Sequence, residues 1–225
     1  MKFTKAQHAM EQIWVAILTR QLSLTARAEG DYPLTVSALC EQLSLSMATA
    51  RDGLHLLAVE GRVLYQPHLG YRLTPLSQAD WQALIQALKG LFGACIDSFP
   101  SKLDEQTALQ VLGLIHSIQH LPAKDSADIT TMAYWHQTLH TQLLCGINPY
   151  LQKALMPVMA QHQRYLTHPD VKIDWLAQWQ QLFPIVRGLV SPRPQAYTQR
   201  YQLYWQSLNQ HIDHQLIALT SGQFL

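Results

Sequence analysis

Two histidines four residues apart on a helix share one face, and His136 and His140 have that spacing. Neutral imidazoles so placed can hold one metal ion, and protonated ones can hold one anion. Eight of the eleven histidines lie beyond residue 100, at His116, His120, His136, His140, His162, His168, His211 and His214. For a lone histidine, a hydrogen-bonded or surface role is the simpler reading. The run His136-Gln137-Thr138-Leu139-His140 has the spacing of the zinc-hydrolase motif His-Glu-x-x-His. Gln137 stands where that chemistry needs a general base, and a carboxamide cannot take a proton from metal-bound water. No Gly-x-Ser-x-Gly elbow, phosphate loop or Cys-x-x-Cys pair occurs. An enzyme is therefore not expected, and one built on a helical metal site at His136 and His140 is the remote alternative.

Other residue types in the same half suit ligand binding. A guanidinium pairs with a carboxylate through two parallel hydrogen bonds, which makes Arg164 and Arg187 candidate anchors. A solvated surface position is the simpler reading of each. Tyr134, Trp135, Tyr201, Tyr204 and Trp205 either fill a core or wall a cavity, since small-molecule pockets are mostly apolar with few polar anchors. Cys40, Cys95 and Cys145 are odd in number, far apart and in apolar surroundings, and read as buried reduced thiols.

The elements that must position these residues follow from composition and pattern. The 225 residues are 48% apolar and 14% charged, with a formal net charge of +1. That composition can fill a core and is not that of a disordered chain. No apolar run reaches the roughly 18–20 residues that span a bilayer. Polar residues Gln7, His8, Glu11 and Gln12 interrupt any signal-peptide core between Met1 and Leu22. A cytoplasmic protein without a membrane partner is expected.

The first third alternates short elements. Apolar spacing predicts a helix over Lys5–Leu22 and a loop over Ser23–Pro33. A short helix is predicted over Val36–Leu43 with Thr35 as N-cap, then a tight turn at Ser44–Leu45. The next helix starts at an Ser46 N-cap and runs to Glu60, with Gly61 at the left-handed C-cap position. Alternation predicts strands over Arg62–Gln66 and Tyr71–Thr74 around a Pro67–Gly70 turn. Two short helices, a tight turn and a β-wing make a device that reads DNA, with the first turn of the second helix facing bases and phosphates. The candidate DNA contacts are Ser37, Ser46, Met47, Ala48, Thr49, Arg51, His68, Gly70 and Arg72. Thr49 can bond phosphate or base, Arg51 can clamp phosphate or read guanine, and the helix N-terminus itself favours phosphate. Residues 1–76 hold seven Lys or Arg against six Asp or Glu, so net charge lends no support.

From Ser77 onward the pattern is helical. Helices are predicted over Gln78–Phe99, Leu103–Leu121, Asp125–Cys145, Pro149–Leu166, Ile173–Val190 and Gln195–Leu219, with Pro or Gly at most of the breaks and Pro157 and Pro184 inside. The expected fold is mainly α. A winged helix-turn-helix over residues 1–76 precedes an antiparallel all-helical bundle over 77–225, which binds an effector and dimerises.

The stretch Leu34–Ser77 resembles the DNA-binding domain of GntR-family bacterial transcription regulators. The shared features are Val36–Leu39–Leu43, the Ser46 start, Arg51–Asp52, Leu54, the Glu60–Gly61 stop and Gly70-Tyr71-Arg72-Leu73. The helical remainder resembles the FadR-type (FCD) effector domain. The resemblance implies a homodimer that binds operator duplex DNA, with an affinity set by a small-molecule effector, often a carboxylate. It also implies a divalent metal as a possible cofactor, held by an Asp-x-x-x-His pair and two later histidines. His140 matches the paired histidine, His136 takes the aspartate position and His211 matches the last histidine. Leu182 or a neighbour stands where the other is expected. Effector contacts are then expected at His136, His140, Arg164, Arg187, Tyr204 and His211. One departure concerns DNA: Met47 replaces an arginine that relatives carry after the residue matching Ser46. Losing a base-reading arginine removes about 1–3 kcal/mol of discrimination. Met47, Ala48 and the even charge motivate an alternative, a winged-helix protein-interaction module without operator reading.

Overall fold

The computed structural model describes residues 4–27, 31–100, 103–122, 128–144, 148–191 and 195–218. Asp125, Cys145 and Leu219 lie outside them. The described residues form two compact units, divided between Ser77 and Gln78.

In the first unit, helix α1 spans Lys5–Leu18. Thr4 Oγ1 accepts from the Gln7 amide at 3.2 Å and Gln7 Oε1 accepts from the Thr4 amide at 2.9 Å. This exchange satisfies two amides at the helix start. The apolar period carries on to Leu22, but the helix stops at Leu18, and Arg20 takes a left-handed φ of 56°. Leu22 is still buried, reached by a turn.

Strand β1 (Tyr32–Leu34) lies in the stretch predicted as loop. Pro33 conceals it in the sequence, yet β1 is an edge strand, where a proline costs the ladder little. Helix α2 (Val36–Leu43) starts at Thr35, and Ser44 then turns the chain with φ 55°. Helix α3 (Met47–Val59) ends in a Schellman cap. Gly61, at φ 68°, donates to Ala58 O at 3.0 Å, and Arg62 donates to Leu57 O at 2.8 Å. Because the Arg62 amide serves this cap, strand β2 begins at Leu64 and runs to Gln66. Strand β3 is Gly70–Leu73. The antiparallel sheet has the order β1-β3-β2, with Tyr32 opposite Leu73 and Tyr65 opposite Tyr71. The core of the unit gathers Ile13, Trp14, Leu39, Leu54, Leu57, Val63 and Leu73.

The second unit is helical throughout its described residues. Its helices are α4 (Gln78–Asp97), α5 (Glu105–Gln119), α6 (Ile129–Leu144), α7 (Pro149–Leu166), α8 (Trp175–Leu189) and α9 (Gln195–Ala218). Side-chain caps trim the predicted ends. Asp104 accepts from Thr107 N–H at 2.9 Å and Asp174 from Ala177 N–H at 3.0 Å, so Leu103 and Ile173 fall outside their helices. Asn148 caps α7 with Pro149 in the first turn, a position where proline's missing N–H costs nothing. Pro157 and Pro184 sit within α7 and α8. None of the described helices is long and apolar enough to cross a membrane.

One close approach sets the spacing in the first unit. A Cβ at Gly53 would lie 3.0 Å from Met10 N and 3.1 Å from the Ala9 carbonyl carbon, so α3 can meet α1 there only without a side chain. The Gly53→Ala variant is expected to lose about 1–3 kcal/mol of stability, the range for overpacking against atoms that cannot yield. Gly90 in α4 has nothing within 4 Å of the same added atom. Gly90→Ala should instead gain up to ~1 kcal/mol from helix propensity. Urea unfolding followed by circular dichroism checks both signs.

Candidate nucleic-acid interface and buried histidine cluster

The start of α3 is built as the sequence predicts. Ser46 Oγ accepts from the Thr49 amide at 3.2 Å and lies 2.7 Å from Thr49 Oγ1. Ser46, Met47, Ala48 and Arg51 are exposed and Thr49 is half-buried. Ser37, also exposed, donates to Thr35 Oγ1 at 3.4 Å. Cys40 is half-exposed and its thiol faces Met47 Sδ at 3.6 Å, so the expectation of a buried thiol fails at this cysteine. Cys95 is buried, which raises its pKa. In the wing, His68 and Gly70 take φ of 69° and 79° at the turn.

The arginines of this unit divide into two kinds. Arg72 is held by the buried carboxylate of Asp31 at 3.0 Å and braces β3 against the start of β1. Arg62 pairs with Glu60 at 2.8 Å and Glu11 at 3.4 Å, and stacks over Trp14. Arg51, by contrast, is exposed. It acts on the wing electrostatically: the Tyr71 phenol is raised by burial and by Tyr65, and lowered in part by Arg51. Nothing in the sequence marks the Asp31–Arg72 pair, whose members are 41 residues apart.

In the second unit the structure brings His136 and His140 together and adds residues the sequence did not single out as partners. Both imidazoles are fully buried, with their Nε2 atoms 3.0 Å apart. His136 Nε2 lies 3.0 Å from Tyr204 Oη, and His140 Nδ1 is bonded to Tyr201 Oη. His162, on α7, faces Asn209 Oδ1 with its Nε2 at 3.0 Å and stacks on Trp81. Trp205 lies against all three histidines, with centroid distances of 5.4, 4.6 and 5.3 Å. Burial holds His136 and His140 well below the usual histidine range, neighbouring imidazoles add to the effect, and burial lowers His162 to about 4. Burial likewise pushes the Tyr201 and Tyr204 phenols up. The whole cluster is neutral at neutral pH.

A neutral imidazole has one N–H and one lone pair. His140 uses one toward Tyr201 and the other toward His136. In either tautomer, His136 Nε2 must serve both His140 and Tyr204 while its Nδ1 stays buried without a partner among the described residues. His162 Nδ1 and the indole N–H of Trp81 are in the same position.

The other expected members lie apart. His211 is exposed and its Nε2 sits 2.9 Å from the Lys172 carbonyl. The buried stripe of α9 is Tyr201, Tyr204, Leu208 and Ile212, and His211 falls one helical step off it. Tyr204 thus occupies the place assigned to His211, and the phase of the apolar stripe carried that information. Arg164 is buried and donates to Gln161 at 2.8 Å, while Arg187 is exposed and donates to Gln119 at 2.9 Å.

These donors do not fit a resident divalent metal. Two neutral imidazoles and two neutral phenols supply no anion, and a doubly charged ion there would be buried uncompensated. Among the described residues no group of three or more His, Cys, Asp or Glu is arranged to hold an ion. What adjoins the cluster is a groove of about 500 Å³ between α4 and α9. Trp81, Phe92 and Trp205 form part of its wall, and Gln86, Lys89, Gln206 and Asn209 supply polar groups.

No family model matches the sequence, and no curated protein does. Solved structures do match. A chain from Rhodococcus sp. RHA1, described as a candidate GntR transcriptional regulator, aligns over 93% of this chain and 98% of its own, with TM-score 0.64 and 14% identity. A structure described as that of Lar, which controls expression of the Listeria monocytogenes agr system, aligns over 97% and 99%, with TM-score 0.54 and 12% identity. A GntR family member from Pseudomonas syringae pv. tomato str. DC3000 aligns over 95% and 88%, with TM-score 0.50 and 15% identity. The chain therefore has the fold of these regulators, a winged helix-turn-helix unit followed by a helical unit.

The buried histidines have a consequence for stability. A histidine with a lowered folded pKa takes up its proton on unfolding, so its contribution is complete above the unfolded value near ~6.5. Stability is then lost as pH falls below that value toward the folded one, about 4 for His162. Each such histidine removes roughly 1.4 kcal/mol per pH unit across its window. Urea unfolding at a series of pH values between neutrality and the acid range should show this steep loss. In His162→Gln the slope should fall by one proton's worth, and an unchanged slope would contradict the assignment.

Proposed function

We propose that the chain is a DNA-binding transcription regulator of the GntR type, acting as a homodimer on operator duplex DNA. The observation that carries this reading is the exposed first turn of α3 beside a wing, within a fold shared along nearly the whole chain with such regulators. Thr49 and Arg51 are the groups on that turn suited to phosphate and base edges, and the helix N-terminus adds its own attraction for phosphate. Arg72 acts as a brace in this reading, since Asp31 already neutralises it. His68 and Gly70 bring the wing turn to the backbone.

The helical unit would hold a small-molecule effector that shifts DNA affinity by binding one arrangement of the dimer better than another. The groove between α4 and α9 supports a place for it, with the aromatic wall shared with the histidine cluster. A carboxylate effector would find its counter-charge at Lys89 on this groove rather than at Arg164 or Arg187. The cluster itself favours uncharged groups that complete the unpartnered His136 and His162 nitrogens.

The second reading, a winged helix used for protein contacts, draws on the wing surface. Leu64, Tyr65 and Leu69 are exposed there, where phosphate contacts would call for cations. Selection from a random duplex library followed by fluorescence anisotropy separates the two. A regulator enriches a defined sequence with salt-dependent affinity. Arg51→Ala should then weaken binding by roughly tenfold or more and lower the salt slope by about one. A library that yields no enriched sequence at low salt would remove the proposal and leave the interaction module.

A further inference from the structure

We propose that His116 and His120 form a surface chelate for a borderline divalent transition ion such as Zn²⁺, Ni²⁺ or Cu²⁺. Both are exposed at the end of α5, four residues apart, with ring centroids 4.1 Å apart. His120 Nδ1 lies 2.8 Å from the His116 carbonyl oxygen. A carbonyl only accepts, so Nδ1 carries the proton and donates it. That fixes the tautomer and leaves the Nε2 lone pair available. An N–H-to-carbonyl bond behind the ring is the support that metal-ligating histidines generally have, since it fixes the tautomer and the ring's orientation. His120 is also the C-cap of α5, and the last carbonyls of a helix carry partial negative charge that favours a cation.

The ring nitrogens of His116 bond no other described side chain. Among the described residues no third His, Cys, Asp or Glu completes a cage. The remaining coordination positions therefore fall to water or to an outside ligand, which makes the site open rather than structural. Two imidazoles suit the nitrogen-binding ions of the later first row and not Mg²⁺ or Ca²⁺, which take oxygen. Exposure lets the ion keep part of its hydration, so no buried charge has to be compensated. Arg187, bonded to Gln119 beside His120, is a cation that works against the ion and limits affinity.

Isothermal titration of the full chain, without an affinity tag, tests this with Zn²⁺, Ni²⁺ and Mg²⁺ salts. Uptake of one Zn²⁺ or Ni²⁺ per chain and none of Mg²⁺ is expected. His116→Gln and His120→Gln, each at an exposed position, should lose roughly tenfold or more in affinity, the scale seen when even a supporting group of a metal site is removed. The His140→Ala and Cys40→Ser variants should bind as the parent does. Retention of full affinity in the doubly substituted surface variant would overturn the proposal. So would loss of binding in Cys40→Ser or in a folded His140→Ala, or the absence of any uptake. If His140→Ala does not fold, Tyr204→Phe perturbs the same cluster more gently and reads the same way.

Discussion

Three imidazoles are buried with no charge to answer them, and the packing of the helical unit depends on keeping them neutral. His140 ties α6 to α9 through Tyr201, His136 does the same through Tyr204, and His162 ties α7 to α9 through Asn209. Each bond contributes about 1 kcal/mol net, little beside the apolar core around it. Their larger effect is on register. A one-residue slip of α9 moves every side chain about 1.5 Å along the axis and 100° around it. The hydroxyls would leave, and each stranded nitrogen would cost about 1–3 kcal/mol. The polar cluster thus fixes which face of α9 is inward, a choice that a stripe of Leu and Tyr alone makes less sharply.

The winged unit instead holds charge inside by pairing it. Its two best-placed internal arginines serve the fold: Arg62 closes the α3 cap region onto α1, and Arg72 neutralises a buried aspartate. Removing either would expose a carboxylate to an unpaired state. The surface left for a partner is then short of cations and comparatively apolar, with Met47, Leu64, Tyr65 and Leu69 exposed. Any nucleic-acid affinity of this surface then rests on few phosphate contacts and on helix-end dipoles, which keeps its salt dependence shallow.

Much of this architecture was legible in the residues. Capping chemistry located Thr35, Ser46 and Gly61, because those positions are set by local hydrogen bonding that a sequence states directly. Strand β1 was hidden because its pairing with β3 is non-local and its Pro33 reads as a turn. Helix α1 ends before its apolar period does because Arg20 adopts positive φ, which no local rule predicts for arginine. At the candidate site, the His136–His140 pair was visible in the spacing, but its partners were not. Tyr201 and Tyr204 read as core or cavity wall, and His211 drew the ligand role that motif position suggested. Helical phase separates them: Tyr201, Tyr204, Leu208 and Ile212 make one stripe, and His211 lies off it.

The two histidine pairs have the same spacing and opposite chemistry. His136 and His140 are enclosed by tryptophans and tyrosines, so their low proton affinity comes from burial, and they bond each other and two buried phenols. His116 and His120 face solvent at a helix end, where one N–H is already fixed on a carbonyl. A spacing rule cannot tell these apart, since both satisfy it. What decides is whether water can share the charge of an arriving ion. In the core it cannot, and the network of hydroxyls answers the imidazoles instead. At the surface it can, and two neutral nitrogens with solvent are enough to hold a borderline cation.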